Sequence, residues 1–487
     1  MLDVSREEIT DGSILRSLLL LATPLVLQNV VQFAQLVVDA LFLGRVGETA
    51  VAAVGFVYPL TSVMLAVIVM PFVGTQVVVS QRVGADDETG ARRVAVNGVA
   101  LALAVAVPVL AVVVLAGPWL VDTAVALLNP TDGIAGLASI YLVTYALAVP
   151  LIAVSDTLEG AFVGWGDSRA ALYVNVVAVA VNLALDPVLI FGWDALGVPA
   201  YGVQGAALAT AIGYGAGMIL VLGFALGLRD TFTLSRSDLA FDAGAWRELV
   251  DVGYPNSIQR VSKDGVKVAM VALVFYAGGG AAMAAYTIGV RVSAIAWIPA
   301  SGLQQAAQSI VGQNLGAGQP GRASRVTWVG VGIAVGALSV VGAIQWLVPE
   351  FLTSVFVPNL TPDGFRLTVT YLEILAYSYW AIGGTYLFLG GFNGARRTRT
   401  SLVVDLLKYW GIRFPIGVLA LPATFAVSLF GVSLTPGVGL GVTAIFWAVT
   451  ISNVVTVVGV GAYYWYTTND GMLQRAAERA SNTASSD

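Results

Sequence analysis

Length, composition and charge predict that this 487-residue chain lies in a lipid bilayer. Hydrophobic residues make up 57% of it, charged residues make up 11%, and the mean hydropathy is +0.84. A water-soluble protein of this length exposes far more charge, so a surface facing lipid is expected. The absence of Cys and His excludes disulfides, thiolate nucleophiles, imidazole bases and most transition-metal sites. With a net charge of −5 and no basic patch, binding to nucleic acid is not indicated.

Apolar segments that can cross a bilayer recur twelve times. A membrane-spanning helix needs about 20 mostly apolar residues, and the sequence therefore predicts an all-α polytopic membrane protein. The first fourteen residues are acidic and precede an apolar run too long for a secretory signal, so we expect a short cytoplasmic stub there. The predicted segments lie at 15–43, 50–80, 94–116, 134–158, 170–192, 203–228, 247–277, 283–311, 326–348, 367–393, 400–428 and 440–466.

Arginine residues are distributed unevenly between the two sides of the predicted membrane. They occur in the connections between segments 2 and 3, 4 and 5, 6 and 7, 8 and 9, and 10 and 11, whereas the opposite connections hold only Arg45 and Arg366. Basic residues favour cytoplasmic connections. We therefore expect a multi-pass protein of the cytoplasmic membrane with both termini in the cytoplasm.

The two halves of the sequence resemble each other. Pro24 aligns with Pro255 at an offset of 231, and Val79–Arg93 aligns with Val311–Arg325 at an offset of 232. Because each repeat has six segments, both enter the membrane from the same side and are parallel, and substrate is expected at their interface.

This repeat predicts a division into five parts. Two lobes of six helices each are expected, joined by the longest polar connection of the chain, and a short segment is expected at either terminus. The parts are the stub 1–14, the N-lobe 15–228, the cytoplasmic linker 229–246, the C-lobe 247–467 and the cytoplasmic tail 468–487.

Segment 1 carries a polar stripe although charged groups are costly inside a bilayer. Gln28, Gln32, Gln35 and Asp39 follow one another at spacings of 4, 3 and 4 residues, which places them on one helix face. The three amides are candidates for a substrate cavity. Pro24 removes a backbone hydrogen bond earlier in the same helix and gives it a place to bend.

Segments 5 and 6 carry polar groups that we expect at the depth of Asp39. Asn175, Asn182 and Asp186 share one face of segment 5, and Thr210 lies in segment 6. Carboxylate, amide and hydroxyl oxygens suit Na⁺, while a carboxylate alone suits H⁺. Asn175 is a further candidate for the substrate cavity. The sequence thus predicts a polar cluster within one lobe.

The second half is chemically different, because three basic residues occupy the positions of the amide stripe in segment 7. Nearby acidic residues could neutralise them in an ion-pair network, which is the interpretation we favour; alternatively, Glu373 or Asp264 is a second proton-linked carboxylate. The residues concerned are Arg260, Lys263, Asp264, Lys267, Glu373, Asp405 and Arg413.

Two more acidic residues, Asp156 and Glu159, lie three positions apart near the predicted cytoplasmic end of segment 4. They could form a gate or lie at the membrane interface. Their position favours the interface.

Several motifs together resemble the multidrug and toxic compound extrusion (MATE) family over essentially the whole chain. They are Pro24 and Asp39 followed by GRVGETAVAAVG, the Gln-x-x-Gly-Ala signature at Gln81 and again at Gln313, NLALDP from Asn182, and GAALAT ending at Thr210. The N-lobe residues are most similar to the archaeal and DinF-like branch.

The resemblance implies a V-shaped pair of bundles that works by alternating access and is not an enzyme. It implies a cation site at Asp39, Asn182, Asp186 and Thr210, with Na⁺ or H⁺ as coupling ion and no other cofactor, and a bending proline at Pro24. It further implies export of organic cations and amphipathic drugs. Separately, we expect the protein to be a monomer.

Two other functions remain compatible with the sequence. A lipid-linked oligosaccharide flippase of the same superfamily would use a basic cavity, which the basic stripe of segment 7 could supply. A membrane-embedded transferase would need paired acidic clusters, and Asp86-Asp87-Glu88 has no partner cluster. The sequence does not decide between Na⁺ and H⁺.

Overall fold

The computed structural model describes residues 6–128, 133–356, 360–425, 427–429 and 432–485. Its first half, the N-lobe, consists of six membrane spans. A short helix, Arg6–Thr10, precedes them. Spans 1 to 6 are Ile14–Val46, Glu48–Gly84, Glu88–Leu128, Ile134–Trp165, Ser168–Phe191 and Val203–Gly223, the last continued by a π-helical turn at Phe224–Leu228. Short 3₁₀ turns occupy Asp194–Leu196 and Arg236–Asp238.

The second half, the C-lobe, repeats this arrangement with more breaks in its helices. Ala243–Val292 is kinked at Gly279 and is followed by Ala294–Gly316, so that span 7 covers residues 243–278 and span 8 covers residues 280–316. Span 9 is Pro320–Leu347, span 10 joins Pro362–Ala376 to Tyr379–Gly394, and span 12 is Val442–Asn469. Span 11 joins Thr398–Leu406, a π-helical segment Leu407–Arg413 and Phe414–Leu419. Short helices lie at Pro349–Phe356 and Met472–Ser485.

These helices account for the twelve predicted segments. By length and apolar composition, nine helical stretches in the described ranges are able to cross a membrane, and one of them, Ala243–Gly316, contains both span 7 and span 8. Counting that stretch as two and adding spans 10 and 11, which are built from shorter helices, gives twelve.

The ends of segments 3 and 11 were predicted wrongly. Segment 3 was expected to end at residue 116, but its helix continues to Leu128. Segment 11 was expected to continue to residue 428, but its helix ends at Leu419, before Pro422. The chain then forms an antiparallel pair of strands, β1 Val427–Leu429 and β2 Val432–Leu434, with Val427 opposite Leu434. Because Val and Leu are common in both helices and strands, the apolar composition did not distinguish the two.

Glutamine side chains join the two lobes at the end where residues 84 and 316 lie. Gln81 Nε2 of span 2 donates to the Gly394 carbonyl of span 10 at 2.8 Å, and Gln313 Nε2 of span 8 donates to the Gly164 carbonyl of span 4 at 2.8 Å. The donors are 232 residues apart and the acceptors 230, so the two bonds are related by the internal repeat. We call this pair of bonds the glutamine latch.

The helices carrying the latch touch each other through glycine. A Cβ atom at Gly84 would lie 2.0 Å from the Gln313 carbonyl oxygen, and one at Gly316 would lie 2.0 Å from that of Gln81. Real Cβ atoms do not approach so closely, so only glycine allows spans 2 and 8 to meet here.

Cross-lobe hydrogen bonds become rare towards the opposite end of the spans. Asn29 donates to Ser301 at 3.0 Å, and Ser62 of span 2 donates to Asp264 of span 7. Beyond these, no hydrogen bond among the described residues joins the N-lobe to the C-lobe nearer the ends at Val46 and Glu48. Among the described residues, hydrogen bonds between the lobes are therefore concentrated at one end, which we call the closed end.

Candidate cation site

Two carboxylates meet inside the N-lobe. Asp39 of span 1 and Asp186 of span 5 lie close enough for their carboxyl groups to share a proton in a hydrogen bond. Asp186 is only 1% exposed. No other group in the described part of the chain donates a hydrogen bond to Asp39 Oδ1 or to either oxygen of Asp186.

Amide and hydroxyl groups continue this cluster. Gln35 Nε2 donates to Asn182 Oδ1 at 2.8 Å, and Asn182 Nδ2 donates to Thr210 Oγ1 at 3.4 Å. Thr210 in turn donates to the Ala206 carbonyl one turn earlier in span 6. Spans 1, 5 and 6 are thereby linked by one chain of hydrogen bonds, beginning four residues from Asp39.

The cluster arises from helix geometry. Gln35 and Asp39 are one turn apart on span 1, and Asn182 and Asp186 are one turn apart on span 5. Packing the two polar faces together pairs amide with amide and carboxyl with carboxyl. The sequence-predicted residues Asp39, Asn182, Asp186 and Thr210 are thus brought together.

The chemistry of this cluster fits a small cation or a proton. Three buried carboxylate oxygens without other donors are costly in a low-dielectric interior unless positive charge or a proton offsets them. Oxygen donors are the ligands that hard cations prefer. Asp39 and Asp186 are the residues able to hold Na⁺ or H⁺ here, while the Asn182 amide oxygen already accepts one hydrogen bond and keeps one lone pair.

A second pair of carboxylates lies on span 4 of the same lobe. Glu159 is buried, accepting hydrogen bonds from Gln28 Nε2 at 2.9 Å and from Ser155 Oγ at 3.0 Å. Asp156 is half-buried one turn away. Glu159 lies inside the bundle rather than on its surface, because Gln28, which is 131 residues away in the sequence, supplies a partner there.

The remaining predicted N-lobe residues occupy separate positions. Asn175 is buried, and its Oδ1 has no hydrogen-bond partner in the described ranges. Gln32 is half-buried, between the turns that carry Gln28 and Gln35. Span 1 remains helical through Pro24 from Ile14 to Val46, so the chain is not broken at the proline.

The basic residues of span 7 are largely neutralised. Lys263 pairs with Asp405 of span 11 at 2.8 Å, and Asp264 accepts Lys267 at 2.7 Å and Arg260 at 3.1 Å. This is the ion-pair network that the sequence favoured. Because Asp264 also accepts from Ser62, the network contacts the N-lobe as well.

Two residues predicted for the network lie outside it. Arg413 donates to Ser452 Oγ at 3.0 Å and to Asn453 Oδ1 at 3.1 Å rather than to a carboxylate. Glu373 forms no ion pair with any described residue and shares its helix face with the half-exposed Tyr377. Neutralisation of the span 7 cations by Glu373 was therefore a wrong expectation.

Lys408 was not singled out from the sequence. It is buried in the π-helical segment of span 11, with its Nζ 5.3 Å from the ring centroid of Tyr409. Only three lysines occur in the whole chain. A lysine inside a predicted membrane segment is unusual, and this could have marked Lys408 as a candidate.

Known proteins resemble the chain along most of its length. A probable multidrug resistance protein NorM from Thermotoga maritima is 27% identical over 84% of this chain and 86% of its own. A solved MATE in complex with MaL6 superimposes with a TM-score of 0.86 at 19% identity, covering 96% of this chain and 99% of that one. An outward-facing multidrug resistance MATE transporter of the MOP superfamily gives 0.85 at 20% identity, covering 95% and 98%.

The MatE family profile matches the chain twice. The matches cover residues 24–188 and 255–419, one in each lobe. They start 231 residues apart, the offset at which Pro24 aligns with Pro255. Two copies of one family unit, the twelve-span fold and the similarity over most of its length lead to one conclusion: the chain belongs to the MatE family, whose members are transporters and not enzymes.

Proposed function

We propose that this protein is a multidrug antiporter that exports cationic and amphipathic small molecules in exchange for H⁺ or Na⁺. The observation that carries the proposal is the Asp39–Asp186 pair, two membrane-embedded carboxyl groups that face each other. Relatives described as multidrug resistance proteins support the substrate class. We further propose that the protein is a monomer in the cytoplasmic membrane, with both termini in the cytoplasm.

The proposed organisation follows the sequence repeat. The N-lobe (15–228) holds the coupling ion, the linker (229–246) joins it to the C-lobe (247–467), and substrate lies between the lobes. The stub (1–14) and the tail (468–487) lie on the cytoplasmic side. In this orientation the glutamine latch closes the cytoplasmic end.

Charge is the basis of the proposed coupling. When Asp39 and Asp186 are both ionised, their repulsion and poor solvation favour a state in which a cation or water reaches them. Binding of H⁺ or Na⁺ removes that penalty and allows the pair to be buried. An ion drives the conformational change only through its different affinity for the two states, and these two carboxylates supply that difference.

The amides around the pair have a supporting role in this proposal. Gln35 and Thr210 hold the side chain of Asn182 in place from opposite sides. Asn182 therefore keeps a fixed orientation one turn from Asp186. The amide oxygen of Asn182, held in place with one free lone pair, favours coordination of Na⁺. Coupling to H⁺ needs only the two carboxylates.

The basic stripe of span 7, which supported the flippase alternative in the sequence, is not available to a substrate. Lys263 and Lys267 are instead paired with Asp405 and Asp264. A cavity for an anionic lipid-linked sugar needs basic groups available to substrate. We therefore keep antiport as the proposed function.

Transport in proteoliposomes tests the proposal. Efflux of a fluorescent organic cation such as ethidium is measured under an imposed pH gradient and, separately, under an imposed Na⁺ gradient. Asp39→Asn and Asp186→Asn should each abolish ion-driven efflux. Asp194→Asn, an exposed carboxylate between spans 5 and 6, is the matched control and should transport normally. Full ion-driven transport by Asp39→Asn would refute the mechanism.

A further inference from the structure

A cavity of about 650 Å³ lies between the two lobes, where span 2 ends, span 7 begins and span 10 ends. It lies at the same end of the molecule as the glutamine latch and far along the spans from Asp39. Four separate parts of the chain line it: the end of span 2, the start of span 7, the connection between spans 10 and 11, and the C-terminal helix. No part of the proposed transport mechanism uses it.

Arginine dominates the lining of this cavity. Six arginines surround it, against three acidic residues, Asp242, Glu248 and Asp251. The cavity therefore carries a formal charge of about +3 (six minus three), in a protein whose net charge is −5. The six are Arg82, Arg247, Arg396, Arg397, Arg399 and Arg479.

Ion pairs occupy two of the three acidic residues, whereas the carboxylate of Asp242 accepts a hydrogen bond from the Gly244 amide at the start of span 7. Glu248 accepts Arg396 and lies 3.8 Å from Arg82, while Asp251 lies 3.7 Å from Arg399. Arg247 and Arg397 form no ion pair with any residue in the described ranges. Two guanidinium groups of the lining are thus without an ion-pair partner among the described residues, against one such carboxylate, Asp242.

The start of span 11 adds to the positive potential at the cavity. This helix begins with Thr398 and has no side-chain cap on its first turn. The unpaired N–H groups of a helix start favour an anion.

We propose that this cavity binds a phosphate group, carried either by an anionic lipid headgroup or by a soluble phosphate compound, with Arg247 and Arg397 as its main contacts. Arginine matches phosphate in geometry, since its planar fork donates two parallel hydrogen bonds. Basic pockets between membrane helices are suited to anionic headgroups. The volume accommodates such a headgroup.

Basic residues at this end also have an ordinary explanation, because they orient the protein in the membrane. That explanation requires charge near the membrane but not its convergence. Here arginines from four parts of the chain line one cavity, whereas Arg16 and Arg325 at the same end lie outside it. These two arginines provide a matched control.

A ligand in this cavity would bridge the lobes. Arg82 belongs to the N-lobe and Arg397 to the C-lobe, and both line the same space. An anion bound between them would add contacts across the closed end and stabilise that closure. Occupancy is therefore expected to favour the state in which the latch is formed.

The experiment uses the full-length protein purified in detergent, with binding measured by native mass spectrometry. One arm titrates phosphatidylglycerol, with phosphatidylcholine as the lipid without net charge. The other arm titrates inorganic phosphate against chloride at equal ionic strength, read by thermal unfolding. Both arms compare the wild type with the cavity variant Arg247→Gln/Arg397→Gln and the control variant Arg16→Gln/Arg325→Gln.

The cavity variant should bind the phosphate-bearing ligand about tenfold more weakly, because charge-assisted hydrogen bonds are lost. The control variant, with the same change in net charge, should bind like the wild type. Loss in the lipid arm alone identifies a headgroup, and loss in the phosphate arm alone identifies a soluble compound. Equal weakening in both variants, or binding in neither arm, overturns the proposal. Size-exclusion profiles establish that both variants are folded.

Discussion

Removing both halves of the glutamine latch should open the closed end of the transporter. In Gln81→Ala/Gln313→Ala, the carbonyls of Gly394 and Gly164 each lose the amide that donates to them at 2.8 Å. A hydrogen bond of this kind contributes about 1 kcal/mol net, so losing two costs the closed state about 2 kcal/mol. That energy shifts the equilibrium towards the open state about 30-fold.

Part of this free-energy cost to the closed state is offset by a second effect of the substitutions. The Oε1 atoms of Gln81 and Gln313 are buried without a hydrogen-bond partner in the described ranges, and both substitutions remove them. An unsatisfied buried acceptor is itself destabilising. We therefore expect a shift of about 10-fold to 30-fold, and a smaller one for either single variant.

Spin-label distances measure this shift directly. The chain has no Cys, so Thr89→Cys and Arg325→Cys, at exposed positions at the closed ends of the N-lobe and the C-lobe, can be labelled specifically. Gln345→Ala is the matched control, because Gln345 donates to the Leu372 carbonyl at 2.8 Å within one lobe. The double latch variant should populate longer distances and the control should not. Identical distance distributions in the latch variant and the wild type would refute the reasoning.

Three further predictions concern other contacts. Gly84→Leu should prevent closure, because its Cβ would lie 2.0 Å from the Gln313 carbonyl; the same label pair should then report long distances, and an unchanged distribution would contradict it. Asp405→Asn leaves Lys263 without its partner and should destabilise the fold by about 3 kcal/mol, lowering the unfolding temperature in detergent; an unaltered midpoint would argue against a structural ion pair. Arg322→Ala removes the hydrogen bonds that hold the N-terminal helix and should speed limited proteolysis there, whereas wild-type cleavage rates would show that the helix is held by other contacts.

Local patterns in the sequence were sufficient for the twelve spans and for the cluster around Asp39. Hydropathy depends on the residues of each helix alone, so each span could be recognised separately. The polar faces of spans 1 and 5 follow from residue spacing, and each face has one obvious polar partner. For this reason the sequence alone predicts Asp39 and Asp186 at the same depth of the bilayer.

Contacts that depend on packing between distant helices could not be predicted in this way. Glu159 is buried because Gln28 reaches it, and nothing near Glu159 in the sequence indicates that partner. Glu373 has the same charge as Asp405, yet only Asp405 faces Lys263. The strand pair after span 11 consists of Val, Ser and Leu, which also fit a helix. In each case the orientation of a neighbouring element decided the outcome.

The connection between spans 1 and 2 is a single glycine, and so is that between spans 7 and 8. Gly47 has a φ of 145° and Gly279 a φ of 63°, and they lie 232 residues apart, at equivalent points of the two repeats. Side chains other than hydrogen rarely tolerate such backbone angles. Because a single residue connects them, the two helices on either side of each glycine cannot slide past each other independently. Each pair should move as one rigid hairpin when the transporter changes state, so the number of independently moving units is smaller than the number of helices.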